Sequence, residues 1–186
     1  MEQKILQGGT ALLNPLDILK SLDIKESYCV ADLGCGGNGH FVAPLASLVG
    51  KSGKIYALDI QKKVLDALQA RLKLEGIENV ELVWSDLEQV GAASIPTNSC
   101  DLVIVINVLF QNKKHEEILK EAQRFAKKGG RLVVIDWKYS ASPFGPPIDI
   151  RVAPMNVKTL CSSLGLKLFH EFDAGQYHYA LVFLKP

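Results

Sequence analysis

The segment YCVADLGCGGNG, residues 28–39, joins an apolar run to a cluster of glycines. Residues 28–33 have the composition of a buried β-strand. Gly34, Gly36 and Gly39 follow with the spacing G-x-G-x-x-G, which allows a tight turn and lets the backbone approach a ligand closely. The start of the next helix supplies free N–H groups. The segment therefore predicts a strand–loop–helix unit with a ligand site in its loop.

The middle of the chain alternates short β-rich runs with longer amphipathic stretches. We predict further strands at residues 54–59, 80–84, 101–108 and 131–137, and helices at residues 40–49, 62–74 and 116–128. Gly76 lies in the expected C-cap position of the second helix, and Gly129 and Gly130 are expected to close the third. Strands that alternate with helices form right-handed βαβ units and a mostly parallel sheet.

The C-terminal part has a different pattern. Residues 140–147 are rich in Pro, Gly and Ser and predict an irregular loop, and residues 154–164 predict a helix with Pro154 in its first turn. Residues 166–172 and 177–185 are strand-like runs separated by a short turn. Because such a turn joins antiparallel neighbours, we expect a hairpin after the parallel body.

The bulk properties describe one globular domain of 186 residues, with an N-terminal helical or lid segment at residues 1–26 and a core at residues 27–186. The net charge of +1 provides no strong field for nucleic acid or an anionic membrane. No apolar run reaches the roughly 20 residues of a membrane span, and the N-terminus lacks a secretory pattern, so we expect a cytoplasmic protein. The four cysteines form no C-x-x-C pair, and we expect no metal site.

Three acids at strand ends help to identify the ligand of the glycine loop. Asp32 precedes the glycines, whereas Asp59 and Asp86 follow the second and third strands, where ligands of open α/β sheets bind. Two ligands fit the glycines: a dinucleotide, whose pyrophosphate Asp32 would repel, and S-adenosylmethionine, whose ammonium group Asp32 can hold. Asp59 can accept from the ribose hydroxyls of either ligand, and Asp86 from the exocyclic amine of adenine. Taken singly, each acid also fits a helix N-cap.

These motifs resemble those of the class I S-adenosylmethionine-dependent methyltransferases, from about residue 28 to the C-terminus. The chain is most similar to the small-molecule methylases of the ubiquinone and menaquinone biosynthesis type. The resemblance implies an α/β fold, a Rossmann-like doubly wound seven-stranded sheet with strand order 3-2-1-4-5-7-6 and an antiparallel strand 7. It also implies methyl transfer from S-adenosylmethionine to a small-molecule acceptor, with S-adenosylhomocysteine as product.

The same resemblance assigns the cofactor contacts to four segments. VADLGCG at residues 30–36, YALDI at residues 56–60, SDL at residues 85–87 and the fourth strand at residues 101–108 match family motifs. In these motifs Ile60 packs on the adenine ring, and Asn107 lies against the methionine part. The implied cofactor-binding residues are Asp32, Gly34, Cys35, Gly36, Asp59, Ile60, Asp86, Leu87 and Asn107.

The acceptor side is less defined, and the sequence contains no clear catalytic base. Asn107 is followed by Val-Leu-Phe-Gln and not by the Pro-Pro-Tyr or Pro-Pro-Phe signature of enzymes that methylate amino groups of bases and glutamine. Trp137 and Tyr139 are candidates for an acceptor pocket, with residues 142–147 as its cover and residues 8–15 as a lid over the cofactor; simple packing is the alternative. His178 is expected to pack or hydrogen-bond locally.

Two other functions compete with this interpretation. A nicotinamide-dependent oxidoreductase is supported by the G-x-G-x-x-G spacing alone, and no Tyr-x-x-x-Lys motif accompanies it. An RNA or protein methyltransferase would share the cofactor site and differ in the acceptor pocket. The oligomeric state and the acceptor atom are left open, because acceptor pockets are built from loops that vary within one fold.

Overall fold

Strands and helices alternate along residues 12–186, which are the residues that the computed structural model describes. The helices are α1 (Pro15–Ser21), α2 (Val42–Val49), α3 (Lys62–Glu75), α4 (His115–Phe125) and α5 (Pro154–Ser163). The strands are β1 (Cys29–Leu33), β2 (Lys54–Asp59), β3 (Val80–Trp84), β4 (Cys100–Ile106), β5 (Ala126–Trp137), β6 (Lys167–Asp173) and β7 (His178–Leu184). A 3-10 turn at Leu109–Gln111 follows β4, and another at Ile148–Ile150 precedes α5.

Within the described residues the strands form one seven-stranded sheet with the order β3-β2-β1-β4-β5-β7-β6. The strands from β1 to β5 are parallel to one another, and β7 lies antiparallel between β5 and β6. The predicted strand order and the antiparallel seventh strand are confirmed. The order reverses between β1 and β4, and ligands of such sheets bind outside the carboxyl ends of the strands at that reversal.

Helices cover both faces of the sheet because its central strands are apolar on both sides. Val30 and Leu102 belong to the core layer that contains α1, α2 and α3, whereas Ala31 and Val103 belong to the layer that contains α4 and α5. This alternation follows from the two-residue period of a strand. The predicted doubly wound arrangement is therefore confirmed, and it leaves the carboxyl edge of the sheet for the site.

The boundary between α4 and β5 differs from the prediction. We expected a helix over residues 116–128 that the following glycines close, but α4 ends at Phe125 and β5 begins at the next residue. The pairing of β4 with β5 shifts register just after Cys100, and Gly129 has a φ of +76°. A Cβ on Gly130 would lie 2.9 Å from the carbonyl oxygen of Cys100. Gly129 and Gly130 therefore belong to a bulge near the start of β5 and do not cap α4.

The structure describes the N-terminal segment from residue 12 onward. Residues 8–11 of the predicted lid lie outside the described residues, and the division at residue 26 stays a prediction. Asn14 caps α1, because its side-chain oxygen accepts a hydrogen bond from the N–H of Leu16 at 3.1 Å. Along residues 12–186 we find no helix with the length and apolar character needed to cross a membrane.

Candidate functional site

Two adjoining cavities open at the carboxyl ends of the central strands and share Gly34. The larger, of about 330 Å³, is called the β2-side cavity, and the smaller, of about 210 Å³, the β7-side cavity. The predicted cofactor residues Gly34, Gly36, Asp59, Ile60, Asp86 and Leu87 line the β2-side cavity, and Asp32, Gly34, Cys35 and Asn107 line the β7-side cavity. A groove of about 630 Å³ near Gly50 and Gly76 contains none of them. The fold thus brings every predicted cofactor residue to one crevice, while their roles stay predictions.

The glycine loop wraps around the end of β2. The N–H groups of Gly34 and Cys35 both donate to the carbonyl oxygen of Leu58, at 2.8 and 2.9 Å. Gly34 has a φ of +78°, and a Cβ there would lie 2.5 Å from Cγ2 of Val108. Gly36 has a φ of +67°, and no described heavy atom beyond its chain neighbours lies within 4 Å of its Cβ position. Gly34 therefore allows close packing, whereas Gly36 leaves room for a ligand to approach the backbone.

Asp32 is a buried acid between the two cavities, with 3 % of its surface exposed. Burial, reinforced by the negative charge of Asp59, raises the pKa of Asp32 from 3.8 to about 7. A bound ammonium group would favour the charged carboxylate and reverse this shift. Burial and the charges of both acids also raise the pKa of the Cys35 thiol, so this cysteine is neutral and poorly suited to act as a nucleophile.

Asp59 is fixed by the turn that follows β2. Its Oδ1 accepts from the N–H of Gln61 at 2.9 Å, and its Oδ2 accepts from the N–H of Gly36 at 3.3 Å. The next residue, Ile60, is 54 % exposed and lies on the β2-side cavity. The carboxylate is therefore held in one place next to an apolar surface that a flat ring can cover.

Asp86 has an equivalent place after β3. Its Oδ1 accepts from the N–H of Glu88 at 2.9 Å, and its Oδ2 accepts from Nε2 of Gln89 at 2.8 Å. Leu87 is buried beside it and also lines the β2-side cavity. The first of these bonds is the turn contact that an N-cap-like aspartate makes. Capping and ligand binding are compatible here, because a carboxylate oxygen can accept more than one hydrogen bond.

Asn107 follows β4 in a left-handed conformation with a φ of +56°. The strand therefore stops at Ile106, two residues earlier than predicted. The N–H of Asn107 donates to the carbonyl oxygen of Ile135 at 2.8 Å, which fixes the backbone. Its side-chain Oδ1 is buried without a hydrogen-bond partner in residues 12–186. A buried acceptor that lacks a partner costs free energy, so this oxygen marks a place where a ligand can donate.

Aromatic and histidine side chains form the other end of the β7-side cavity. Trp137 lines it as predicted, whereas Tyr139 is 55 % exposed and is not among the lining residues. His178 also lines the cavity and packs on Trp137, with ring centroids 4.1 Å apart. Sequence reasoning missed this place for His178, because the two residues meet only through the pairing of β5 with β7.

Arg151 organises the loop beside the cavity, and the sequence analysis did not identify it. The residue is 7 % exposed, and its guanidinium donates to four backbone carbonyl oxygens at 2.9 to 3.0 Å, those of Lys138, Ser140, Phe144 and Pro146. The predicted irregular loop is thus held by one buried cation. An arginine in a loop has no sequence pattern that would distinguish it from a solvated one.

Asp136 fixes the turn that follows β4. Its carboxylate is buried and accepts from the N–H of Trp137 at 2.8 Å and from the N–H of Phe110 at 3.3 Å. Burial raises its pKa to about 6, although these hydrogen bonds oppose the shift. Asp136 does not line either cavity, so we assign it to holding the neighbouring backbone.

Comparisons with known proteins agree with this geometry. A methyltransferase-domain family model matches residues 24–170. A demethylmenaquinone methyltransferase of Geobacillus stearothermophilus is 29% identical over 120 residues, which are 64% of this chain and 50% of that protein. A ubiquinone/menaquinone biosynthesis C-methyltransferase of Ectopseudomonas mendocina is 29% identical over 140 residues, which are 75% of this chain and 53% of that protein. The chain therefore spans about half the length of these curated relatives.

Among solved structures, a SAM dependent methyltransferase from Aquifex aeolicus has a TM-score of 0.87 at 25% identity, covering 95% of this chain and 92% of that one. The chain belongs to the methyltransferase-domain family. The predicted class, a class I S-adenosylmethionine-dependent methyltransferase, is confirmed at the level of family and fold. The oxidoreductase alternative is not favoured.

Proposed function

We propose that this chain transfers a methyl group from S-adenosylmethionine to a small molecule. The observation that carries the proposal is the placement of Asp32, Asp59 and Asp86, three acids at successive strand ends that line two adjoining cavities. In this proposal Asp59 accepts from the ribose, Asp86 from the adenine amine, and Asp32 holds the ammonium group. A pyrophosphate in the same loop would be repelled by the buried carboxylate of Asp32.

The residues of the site suit a cofactor that is already activated. S-adenosylmethionine supplies a methyl group on a sulfonium, so a strong protein nucleophile is not needed. The chain has to bind and align the two reactants and exclude water. Orientation of the reactants alone can lower the activation barrier by on the order of 7 kcal/mol. Gly36 lets the ligand approach the backbone, and the free Oδ1 of Asn107 can accept from the ammonium group. Phe41 and Trp137 provide apolar walls on the far side.

The proposed acceptor is a small molecule of the quinol type. One curated relative is named a demethylmenaquinone methyltransferase and the other a ubiquinone/menaquinone biosynthesis C-methyltransferase, which supports this class. Besides Asp32 and Asn107, the β7-side cavity is lined by the rings of Trp137 and His178 and by Leu12 and Leu13 of the segment that leads into α1. The net charge of +1 provides no field that would favour RNA.

Binding of S-adenosylhomocysteine tests the donor side. Calorimetry should give micromolar affinity for the wild type and at least about tenfold weaker binding for Asp59→Ala, because two charge-assisted hydrogen bonds are lost. Asp66→Ala is the matched control, since Asp66 is an exposed acid on α3 that lines neither cavity. NADH should not bind. A wild-type protein that binds NADH and not S-adenosylhomocysteine would contradict the proposal.

A further inference from the structure

His178 is a fully buried side chain that lacks polar contacts. It is 0 % exposed, and neither Nδ1 nor Nε2 has a hydrogen-bond partner in residues 12–186. Buried imidazoles are normally hydrogen-bonded, and leaving such a group unpaired costs about 1–3 kcal/mol. The ring lines the β7-side cavity, so the cavity is where a partner can reach it.

Strand pairing fixes the position of this ring. Trp137 and His178 are directly opposite each other in the antiparallel ladder of β5 and β7, so both side chains point to the same side of the sheet. The two rings are tilted by 41°, with centroids 4.1 Å apart. The cavity thus combines an indole surface with an imidazole that has no hydrogen-bond partner in residues 12–186, in addition to residues that we assign to the cofactor.

Burial and the surrounding positive charges keep the His178 imidazole neutral. Burial and the positive charges of Arg151 and Lys138 lower the pKa of His178 to about 4. Asp32 and His40 line the same cavity, and among residues 12–186 no lysine or arginine lines it. A neutral imidazole offers one N–H donor and one lone pair. Within residues 12–186 the cavity thus offers no cationic side chain to an anionic acceptor, whereas its imidazole can pair with a hydroxyl group.

We propose that the part of the β7-side cavity lined by His178 and Trp137 is the acceptor subsite, and that it takes an aromatic ring bearing a hydroxyl group. The hydroxyl group pairs with the His178 imidazole, and the ring packs on Trp137. This assignment rests on the proposed methyltransferase function, and it adds the residues that select the acceptor. His178 acts as a recognition group and not as a base, because its burial and the positive charges of Arg151 and Lys138 oppose the imidazolium that a base would become.

The test uses protein saturated with S-adenosylhomocysteine and the probe 1-naphthol, titrated by calorimetry. His178→Phe keeps a ring and removes the polar atoms, whereas His178→Gln keeps one donor and one acceptor. His170→Phe is the matched control, since His170 is an exposed histidine on the adjacent strand β6. We expect about tenfold weaker 1-naphthol binding in His178→Phe, within about threefold of wild type in His178→Gln, and no change in His170→Phe.

A wild-type readout keeps the test independent of how the variants fold. In ¹⁵N spectra of the histidine rings, 1-naphthol should shift the His178 signals and leave those of His170 unchanged. Unchanged His178 signals, or equal 1-naphthol affinity in wild type and His178→Phe, would overturn the subsite. The subsite is also wrong if the wild-type complex with S-adenosylhomocysteine does not bind 1-naphthol. Failure of the wild type to bind S-adenosylhomocysteine would instead overturn the proposed function.

Discussion

The carboxyl group of Asp32 is buried near a second acid, Asp59, and within residues 12–186 Asp32 forms no salt bridge. Its pKa in the folded protein is raised from 3.8 to about 7, so the native state holds the proton more tightly than the unfolded chain does. Stability from this group is therefore highest at low pH and falls as the pH rises from about 4 through about 7. In the proposed function, binding of an ammonium group to the charged carboxylate would offset this cost.

Replacing Asp32 by asparagine should separate stability from binding. We expect Asp32→Asn to raise the free energy of unfolding at pH 8 by on the order of 2 kcal/mol, and by less at pH 5, where part of the cost is absent. Its affinity for S-adenosylhomocysteine should fall, because the ammonium group loses its counter-charge. Urea unfolding at both pH values and calorimetry at pH 8 measure these effects. An equal stability change at pH 5 and pH 8 would argue against the raised pKa.

The two glycines Gly36 and Gly50 offer a matched pair. Both have a φ of +67°, and neither has a described heavy atom beyond its chain neighbours within 4 Å of the Cβ position. Alanine should cost each site about 1–3 kcal/mol in strain, and Gly50 also has a ψ of −177°, in a region that side chains rarely adopt at positive φ. Only Gly36→Ala should weaken S-adenosylhomocysteine binding, because Gly36 lines the β2-side cavity and Gly50 does not. Equal affinities of the two variants would place the ligand elsewhere.

Among the helices and strands, the predicted bounds agree with the structure where residues close in the chain define them. The predicted bounds of β2 and β3 match the structure, because apolar runs between turn residues define them. The end of α4 was predicted wrongly, because the bulge that starts β5 depends on its pairing with β4. The loop that Arg151 holds could only be predicted as irregular, since its order comes from contacts with one side chain.

That loop gives a prediction at the scale of one element. Arg151→Lys keeps the charge but cannot reproduce the guanidinium geometry that reaches four carbonyl oxygens. We expect a loss of about 2–3 kcal/mol in the free energy of unfolding and a changed emission of Trp137, whose ring lies 5.6 Å from the guanidinium carbon. Arg131→Lys is the control, since within residues 12–186 the Arg131 guanidinium donates one hydrogen bond, to the backbone carbonyl oxygen of Asp23 at 3.4 Å. Equal losses in the two variants would show that the loop does not depend on Arg151.

For the molecule as a whole, the fold and the proposed cofactor residues could be predicted from the sequence, whereas the proposed acceptor end could not. The predicted cofactor residues lie in short motifs at strand ends, so their resemblance to family motifs could identify them before the sheet brought them together. His178 and Trp137 are far apart in the chain and become neighbours only when β7 inserts antiparallel beside β5. The acceptor end therefore required the structure.

A buried ion pair links α4 to the segment after β3. Glu121 is fully buried and binds Arg124 at 2.7 and 2.8 Å, and it also accepts from the N–H of Gly91 at 2.8 Å. Glu121→Ala should lower the free energy of unfolding by about 2–3 kcal/mol, because the Gly91 N–H loses its acceptor and Arg124, whose side chain is 20% exposed, loses its counter-charge. The exposed Glu116 on the same helix gives the control Glu116→Ala, for which we expect less than about 1 kcal/mol.

Loss of this ion pair should leave the candidate site unchanged, because neither Glu121 nor Arg124 lines the two cavities. Below the unfolding transition, Glu121→Ala should bind S-adenosylhomocysteine within about twofold of the wild type, as calorimetry can measure. A large loss of affinity in folded Glu121→Ala would show that the site depends on the whole helical layer.

Methyl transfer from S-adenosylmethionine labelled in its methyl group tests the central proposal most directly. The wild type would be incubated separately with a reduced naphthoquinone, RNA and a protein extract, and Asp59→Ala and Asp66→Ala would be assayed in parallel. We predict label in the small molecule only, lost in Asp59→Ala and kept in Asp66→Ala. Label found only in RNA or protein, or no transfer to any acceptor, would contradict the account.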